Sequence, residues 1–278
     1  MVRRGEHLDT VRPMAKWNAA DHYDEYPLIE EQLESELDIS LDPRGPDMLF
    51  DLVKGFGLPT GAIVVDLGCG EGTHALRLAD DGFAVTGVDP SERHVAVCTE
   101  KAAARASRAT FVSGRAEEIP FGDNNVDLVW CRDTLVHTDI DQAYKEIFRV
   151  LKPGGRALTY QAFVTDDLDP HEAAFLLPIM GVVATSATID DAERAIAGSG
   201  LHVDERVDIG TEWSEYTQEN GGRVAQKMLH LARMRRRKEE YVRKYGQVNY
   251  DVKVGDCLWH VYLMIGKMTR RAYCLSKP

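Results

Sequence analysis

The stretch Val64-Val65-Asp66-Leu67-Gly68-Cys69-Gly70-Glu71-Gly72-Thr73-His74 places glycines at alternate positions, directly after a β-branched apolar run. Glycine carries no Cβ, so such a turn lets a ligand approach the backbone, and the amides opening a following helix can receive an anionic group. A dinucleotide fingerprint reads G-x-G-x-x-G, whereas Gly68, Gly70 and Gly72 read G-x-G-x-G. Asp66 stands two positions before the first glycine. A carboxylate there repels a pyrophosphate and can accept from an ammonium, so the charge pattern favours a zwitterionic ligand. On its own the turn also reads as an ordinary tight link from strand to helix.

Asp89 closes the next apolar run, in Gly87-Val88-Asp89-Pro90-Ser91. A carboxylate at the carboxyl end of a second strand can accept both hydroxyls of a ribose. It could equally cap a helix starting near Glu92, a role also open to Ser91. His137 lies in Arg132-Asp133-Thr134-Leu135-Val136-His137-Thr138-Asp139. Its imidazole is a candidate general base for a hydroxyl or amine, or it orients the loop. Asp133 is a candidate contact for the ligand or for a second substrate. His171 and Glu172 either line a pocket or open a helix with Pro170 in its first turn. Tyr23 and Tyr26 read on their own as aromatic anchors of a surface helix. Arg233, Arg235, Arg236, Arg237 and Lys238 could draw in an anionic partner, or form a solvated face balanced by Glu239 and Glu240.

Alternating elements must position these groups. Strands are expected at Ile63–Leu67, Phe83–Val88, Thr110–Ser113, Val126–Cys131, Arg156–Ala162, Leu201–Ile209 and, last, Cys257–Met268. Helices are expected at Leu28–Leu37, Met48–Phe56, Thr73–Asp81, Glu92–Ala106, Asp141–Leu151, Ile189–Gly200 and Arg223–Tyr245. Strands alternating with helices of this length imply βαβ crossovers and a parallel sheet. Lys152-Pro153-Gly154-Gly155 is expected to stop a helix before the fifth strand. Residues 1–45 read as a cap or lid. Residues 46–278 read as the main domain, elaborated at about 164–185 and 211–255.

VVDLGCGEGTH, GVDPS, GRAEEIPF, VDLVW and RVLKPGGRAL follow one another in this order. Together they resemble the class I S-adenosylmethionine-dependent methyltransferase family of small-molecule type, over about Asp47–Phe163 and more loosely beyond. The resemblance implies a Rossmann-like α/β fold: a seven-stranded, mostly parallel sheet with helices on both faces and a reversed final strand. It implies S-adenosylmethionine as cofactor. Asp66, Gly68, Gly70 and Gly72 would form the methionine-side turn, Asp89 would hold the ribose, and Pro90 and Ser91 would flank the adenine. The family often has Asp where this chain has Arg115; a guanidinium cannot accept a hydrogen bond, so the adenine contact falls to Ala116 and Glu117. Cys131 would turn its main-chain carbonyl toward the cofactor's ammonium, and Tyr23 would close over its carboxylate.

The implied activity is methyl transfer to a small-molecule acceptor, at oxygen or nitrogen, by in-line displacement, with His137 as candidate base and Asp133, His171 and Glu172 as candidate acceptor contacts. Two alternatives stay open: a nucleic-acid or protein methyltransferase docking through residues 223–245, and a protein that binds the cofactor without transfer. The net charge of −12 weighs against nucleic acid. The five cysteines are scattered without a C-x-x-C pair, so neither a disulfide framework nor a metal site is expected and a cytoplasmic setting is natural. No membrane span or secretory signal is expected.

Overall fold

The computed structural model describes residue 30 and residues 33–278. The chain divides into two compact units, Met1–Asp42 and Pro43–Pro278. In the first, residues 33–37 are helical; the rest of the helix expected at Leu28–Leu37, residue 30 apart, lies outside the described residues.

The second unit runs α1 (Met48–Gly55), β1 (Ile63–Leu67), α2 (Thr73–Asp80), β2 (Ala84–Asp89), α3 (Glu92–Ala104) and β3 (Thr110–Ser113). Next come β4 (Val126–Arg132), α4 (Ile140–Val150), β5 (Leu151–Val164), α5 (Pro170–Ile179), α6 (Ile189–Ser199) and β6 (His202–Asp208). The chain ends with α7 (Glu212–Glu219), α8 (Arg223–Arg236), α9 (Lys238–Tyr245), α10 (Gln247–Met264) and β7 (Met268–Ser276). The sheet has seven strands in the order β3-β2-β1-β4-β5-β7-β6. β1 to β5 pair in parallel, and β7 runs antiparallel to both β5 and β6. The strand order reverses between β1 and β4, which makes their carboxyl ends the switch point where open α/β sheets bind ligands.

The continuous apolar strands are buried on both faces. Along β4, Leu128 and Trp130 join the layer holding α1 and α2, while Val129 and Cys131 join the layer holding α4 and α6. α4 shows why such helices form: Asp139 caps it by accepting from the Gln142 amide, and Ile140, Ala143, Ile147 and Val150 repeat at helical spacing on its buried face. Burying each of the larger aliphatic side chains contributes about 1.5–3 kcal/mol. Tyr144, on the same face, keeps its hydroxyl 3.0 Å from Thr159 Oγ1, so the buried polar group is paired. A third cluster joins α5, α8 and α10 through Leu176, Leu231, Val254 and Leu258. Among the described residues no helix is long and apolar enough to cross a membrane.

Three expectations are corrected. Cys257–Met268 is not the final strand: Cys257 to Met264 belong to α10, and the reversed strand is β7. A short apolar run does not distinguish a buried strand from a buried helix, and Tyr250, Val254, Cys257 and Leu258 supply a helical stripe. Arg223–Tyr245 is two helices, broken at Arg237 (φ −124°, ψ 37°). The break falls within Arg235–Lys238, where like charges one turn apart disfavour a continuous helix. Lys152–Gly155 does not precede the fifth strand but lies within β5, whose register shifts between Val126 and Leu128 on β4.

Candidate active site

β1 carries Asp66 into the interior, where it is 1% exposed. Burial pushes its carboxyl up to about 7; the Ala75 amide opposes this, Asp89 adds to it, and Arg132 opposes it. Its Oδ2 has no hydrogen-bond partner among the described residues. The turn that follows needs glycine at all three positions, with φ of 75° at Gly68, 52° at Gly70 and 77° at Gly72. A Cβ on Gly68 would lie 2.0 Å from Thr134 Oγ1, so this part of the turn packs flush against the loop after β4. A Cβ on Gly70 would meet nothing within 4 Å, so the middle of the turn presents open backbone.

Asp89, at the end of β2, ties the turn to α3. Its carboxylate accepts from the Gly70 amide at 2.8 Å and the Ser91 amide at 2.9 Å, and faces His94 Nδ1 at 3.0 Å. Ser91, not Asp89, caps α3 by accepting from the His94 amide. An ionised carboxylate offers about four acceptor positions, so Asp89 retains capacity for a ligand hydroxyl. Pro90 beside it is exposed and Ser91 half-buried. Ala116 is buried, and Glu117 accepts from the Asp139 amide at 3.2 Å, which binds this segment to the start of α4. Arg115 points to solvent, 3.7 Å from Glu117. Cys131 is buried, and burial pushes its thiol far up.

Beyond β4, Asp133 adopts a φ of 57°, rare for a residue with a Cβ. The loop then forms a single 3₁₀ turn, Leu135–His137. Asp133 and His137 border a cavity of about 360 Å³, whose walls include Arg132, Tyr160, Trp213 and Arg270. Half the Asp133 side chain is open to the cavity, yet the surrounding protein pushes its carboxyl up, against the pull of Arg132, Arg270 and His137. His137 Nδ1 lies 2.9 Å from the Gly181 carbonyl oxygen. A carbonyl only accepts, so Nδ1 carries the proton and neutral His137 keeps its lone pair on Nε2.

His171 and Glu172 are not brought to this cavity. Glu172 closes a capping box with Asp169 and is held by Lys267 and the Tyr262 hydroxyl. His171 borders a separate depression with Arg235 and Tyr250. Tyr23 lies outside the described residues.

The family model described as "Methyltransferase domain" matches residues 64–155, from the middle of β1 into β5. Residues 64–155 are thus a methyltransferase domain. The chain is 30% identical over 167 residues to the sterol 24-C-methyltransferase erg6 of Schizosaccharomyces pombe, covering 57% of this chain and 44% of that protein. It is 28% identical over 194 residues to the methyltransferase GfsG of Streptomyces halstedii, covering 66% of this chain and 68% of that one. The chain thus spans less than half the length of the sterol relative. The fold is shared with the [4+2]-cyclase SpnF (TM-score 0.67, 22% identity, 92% and 94% of the two chains). It is shared too with Haemonchus contortus phosphoethanolamine N-methyltransferase 2 (TM-score 0.63, 22% identity, 95% and 58%).

The residues of this methyltransferase domain fit the cofactor. Asp66 offers a buried, unpartnered oxygen to an ammonium, Gly70 leaves room for close approach, and Asp89 has spare acceptor capacity. Arg132, Tyr160, Trp213 and Arg270 were missed as site residues from sequence. They come from four distant segments, and Arg270 sits on the strand that was misplaced. The signal for Arg270 was two adjacent arginines in an otherwise apolar stretch, Met268-Thr269-Arg270-Arg271-Ala272-Tyr273-Cys274-Leu275.

Proposed function

We propose that this protein transfers a methyl group from S-adenosylmethionine to a small-molecule acceptor, at oxygen or nitrogen. The observation carrying this reading is that one loop joins two sites. Thr134 packs on Gly68 of the turn, while Asp133 and His137, its neighbours in sequence, border the cavity. When bound, the cofactor supplies an already activated methyl group on a sulfonium. Asp66 would receive its ammonium, Gly68, Gly70 and Gly72 would let its methionine end lie against the backbone, and Cys131 would offer a main-chain carbonyl. Asp89 would accept from the ribose, with Pro90, Ser91, Ala116 and Glu117 around the adenine.

The protein's remaining task is alignment and exclusion of water. His137 Nε2 would take the proton of an acceptor hydroxyl or amine, and the Gly181 carbonyl would hold the ring in the tautomer that can do so.

One fold hosts many chemistries, and the cyclase named above makes binding without transfer the reading to exclude. The test incubates the full chain with S-adenosylmethionine carrying a deuterated methyl group and fractions of a small-molecule extract. Acceptor-dependent S-adenosylhomocysteine and a labelled product are expected. Cofactor binding with no fraction giving turnover would overturn the enzyme reading.

A further inference from the structure

We propose that the cavity beside Asp133 and His137 receives its ligand through an anionic oxyacid group, a carboxylate or phosphate, held by Arg270 and Arg132. Naming that ligand the methyl acceptor rests on the function proposed above; the anion site rests on the geometry alone.

Arg270 is 8% exposed. It reaches the cavity because β7 is reversed: pairing with Ala162 sets an early residue of β7 beside the carboxyl end of β5. Its Nη1 donates to Ser214 Oγ at 2.9 Å, a neutral partner. Among the described residues no carboxylate oxygen comes within 4.0 Å of it, and Asp133 acts on it only from farther off. A buried cation without a counter-ion is costly. A chain with a net charge of −12 has carboxylates to spare if pairing were the only need.

Arg132 is the second guanidinium on the wall. Its Nη1 donates at 2.7 Å to Nε2 of His74, a neutral partner because burial, Arg132 and Arg77 hold that imidazole down to about 4. Its Nε is buried with no hydrogen-bond partner. The one carboxylate on the cavity wall, Asp133, lies 3.6 Å from that Nε, too far for a hydrogen bond. Arg223 adds a third guanidinium to the lining. The wall therefore carries more positive than negative charge, with donors to spare. A planar guanidinium matches a carboxylate or phosphate through paired N–H donors.

The rest of the cavity describes the remainder of the ligand. Tyr160 and Trp213 stack at 4.4 Å, and Met180, Leu263 and Trp259 add apolar wall. The fitting ligand is compact, with one anionic end and a flat or apolar body.

The test titrates the full chain, with and without saturating S-adenosylhomocysteine, with benzoate, phenyl phosphate and the neutral benzamide. At least one anion is expected to bind with a Kd of about 1 mM or tighter, and benzamide at least about tenfold more weakly. The better of the two anions separates a carboxylate ligand from a phosphate one. Arg270→Met and Arg270→Lys should each weaken anion binding about tenfold or more, with S-adenosylhomocysteine affinity unchanged. If both variants fail to fold, competition by sulfate against the bound anion in the wild type carries the test, and competition is expected. Equal binding of benzamide and benzoate, no anion binding up to about 10 mM, or wild-type anion affinity in the folded variants would overturn the site. Failure to bind S-adenosylhomocysteine would instead sink the proposed function, because the anion titration is also run without it.

Discussion

Two alanine substitutions in the glycine turn should have opposite signatures. At Gly68, φ is 75° and the new Cβ would lie 2.0 Å from Oγ1, 2.4 Å from Cγ2 and 2.7 Å from Cβ of Thr134. The left-handed backbone costs an alanine roughly 1–2 kcal/mol, and overpacking adds roughly 1–3 kcal/mol. Gly68→Ala should therefore lose about 2–5 kcal/mol of stability. At Gly70 φ is 52° and nothing lies within 4 Å, so Gly70→Ala should lose only the backbone share, about 1–2 kcal/mol. Urea midpoints at constant m measure both. Adding Thr134→Ala to Gly68→Ala removes the two nearest atoms and leaves the third, so it should restore part of the loss. For ligand affinity the emphasis reverses. The Gly70 methyl would stand where the cofactor is proposed to lie, and similar overpacking should weaken S-adenosylhomocysteine binding about tenfold to hundredfold by calorimetry. Equal stability losses, no recovery with Thr134→Ala, or wild-type affinity in Gly70→Ala would refute this account of the turn.

Asp66 gives a pH signature. Its folded-state pKa of about 7 exceeds the unfolded value of 3.8, so the folded protein binds this proton more tightly. The contribution is fully present below the unfolded value, is lost as pH rises through about 7, and totals at most about 4 kcal/mol. Asp66→Asn, which cannot ionise, should gain stability relative to wild type between about pH 5 and about pH 8; a pH-independent difference in urea unfolding would show that Asp66 does not titrate this way. Asp89→Asn loses acceptor capacity toward the Gly70 and Ser91 amides and the ligand, and should weaken S-adenosylhomocysteine binding about tenfold. An unchanged Kd would remove Asp89 from the site. Once an acceptor is known, His137→Ala should lower turnover about 10²–10⁴-fold while cofactor affinity holds. Normal turnover would leave His137 only a role in shaping the loop.

β1 and β4 could be read from the chain because they are apolar on both faces, and β1, β2 and β4 each close on or near a residue with a separate job: Leu67 before the glycine turn, Asp89 at the end of β2, Cys131 near the end of β4. Helix limits came within a few residues, since Ser91, Asp139, Thr188 and Gly200 mark ends by local hydrogen bonding and backbone preference. The C-terminal half resisted for an equally physical reason. α10 is a helix buried among helices and carries the apolar run expected of a strand, while Arg270 and Arg271 interrupt the apolar run of β7. Arg270 is buried only because β5 and β6 flank β7 and α7 brings Ser214 to it. The cavity was hidden for the same reason. Arg132, Tyr160, Trp213 and Arg270 meet through strand order, which no local pattern carries. Glu172 shows the converse: a carboxylate marked as a candidate contact proved to be occupied by a capping box and by Lys267.

The central claim is that a cofactor on the Asp66–Gly72 turn faces an acceptor cavity across the Asp133–His137 loop. The crystal structure of the full chain with S-adenosylhomocysteine tests it most directly. The account predicts the ribose on Asp89, the ammonium beside Asp66, and the sulfur toward the cavity bordered by Asp133 and His137. A ligand bound away from the glycine turn, or with its sulfur turned from that cavity, would contradict it.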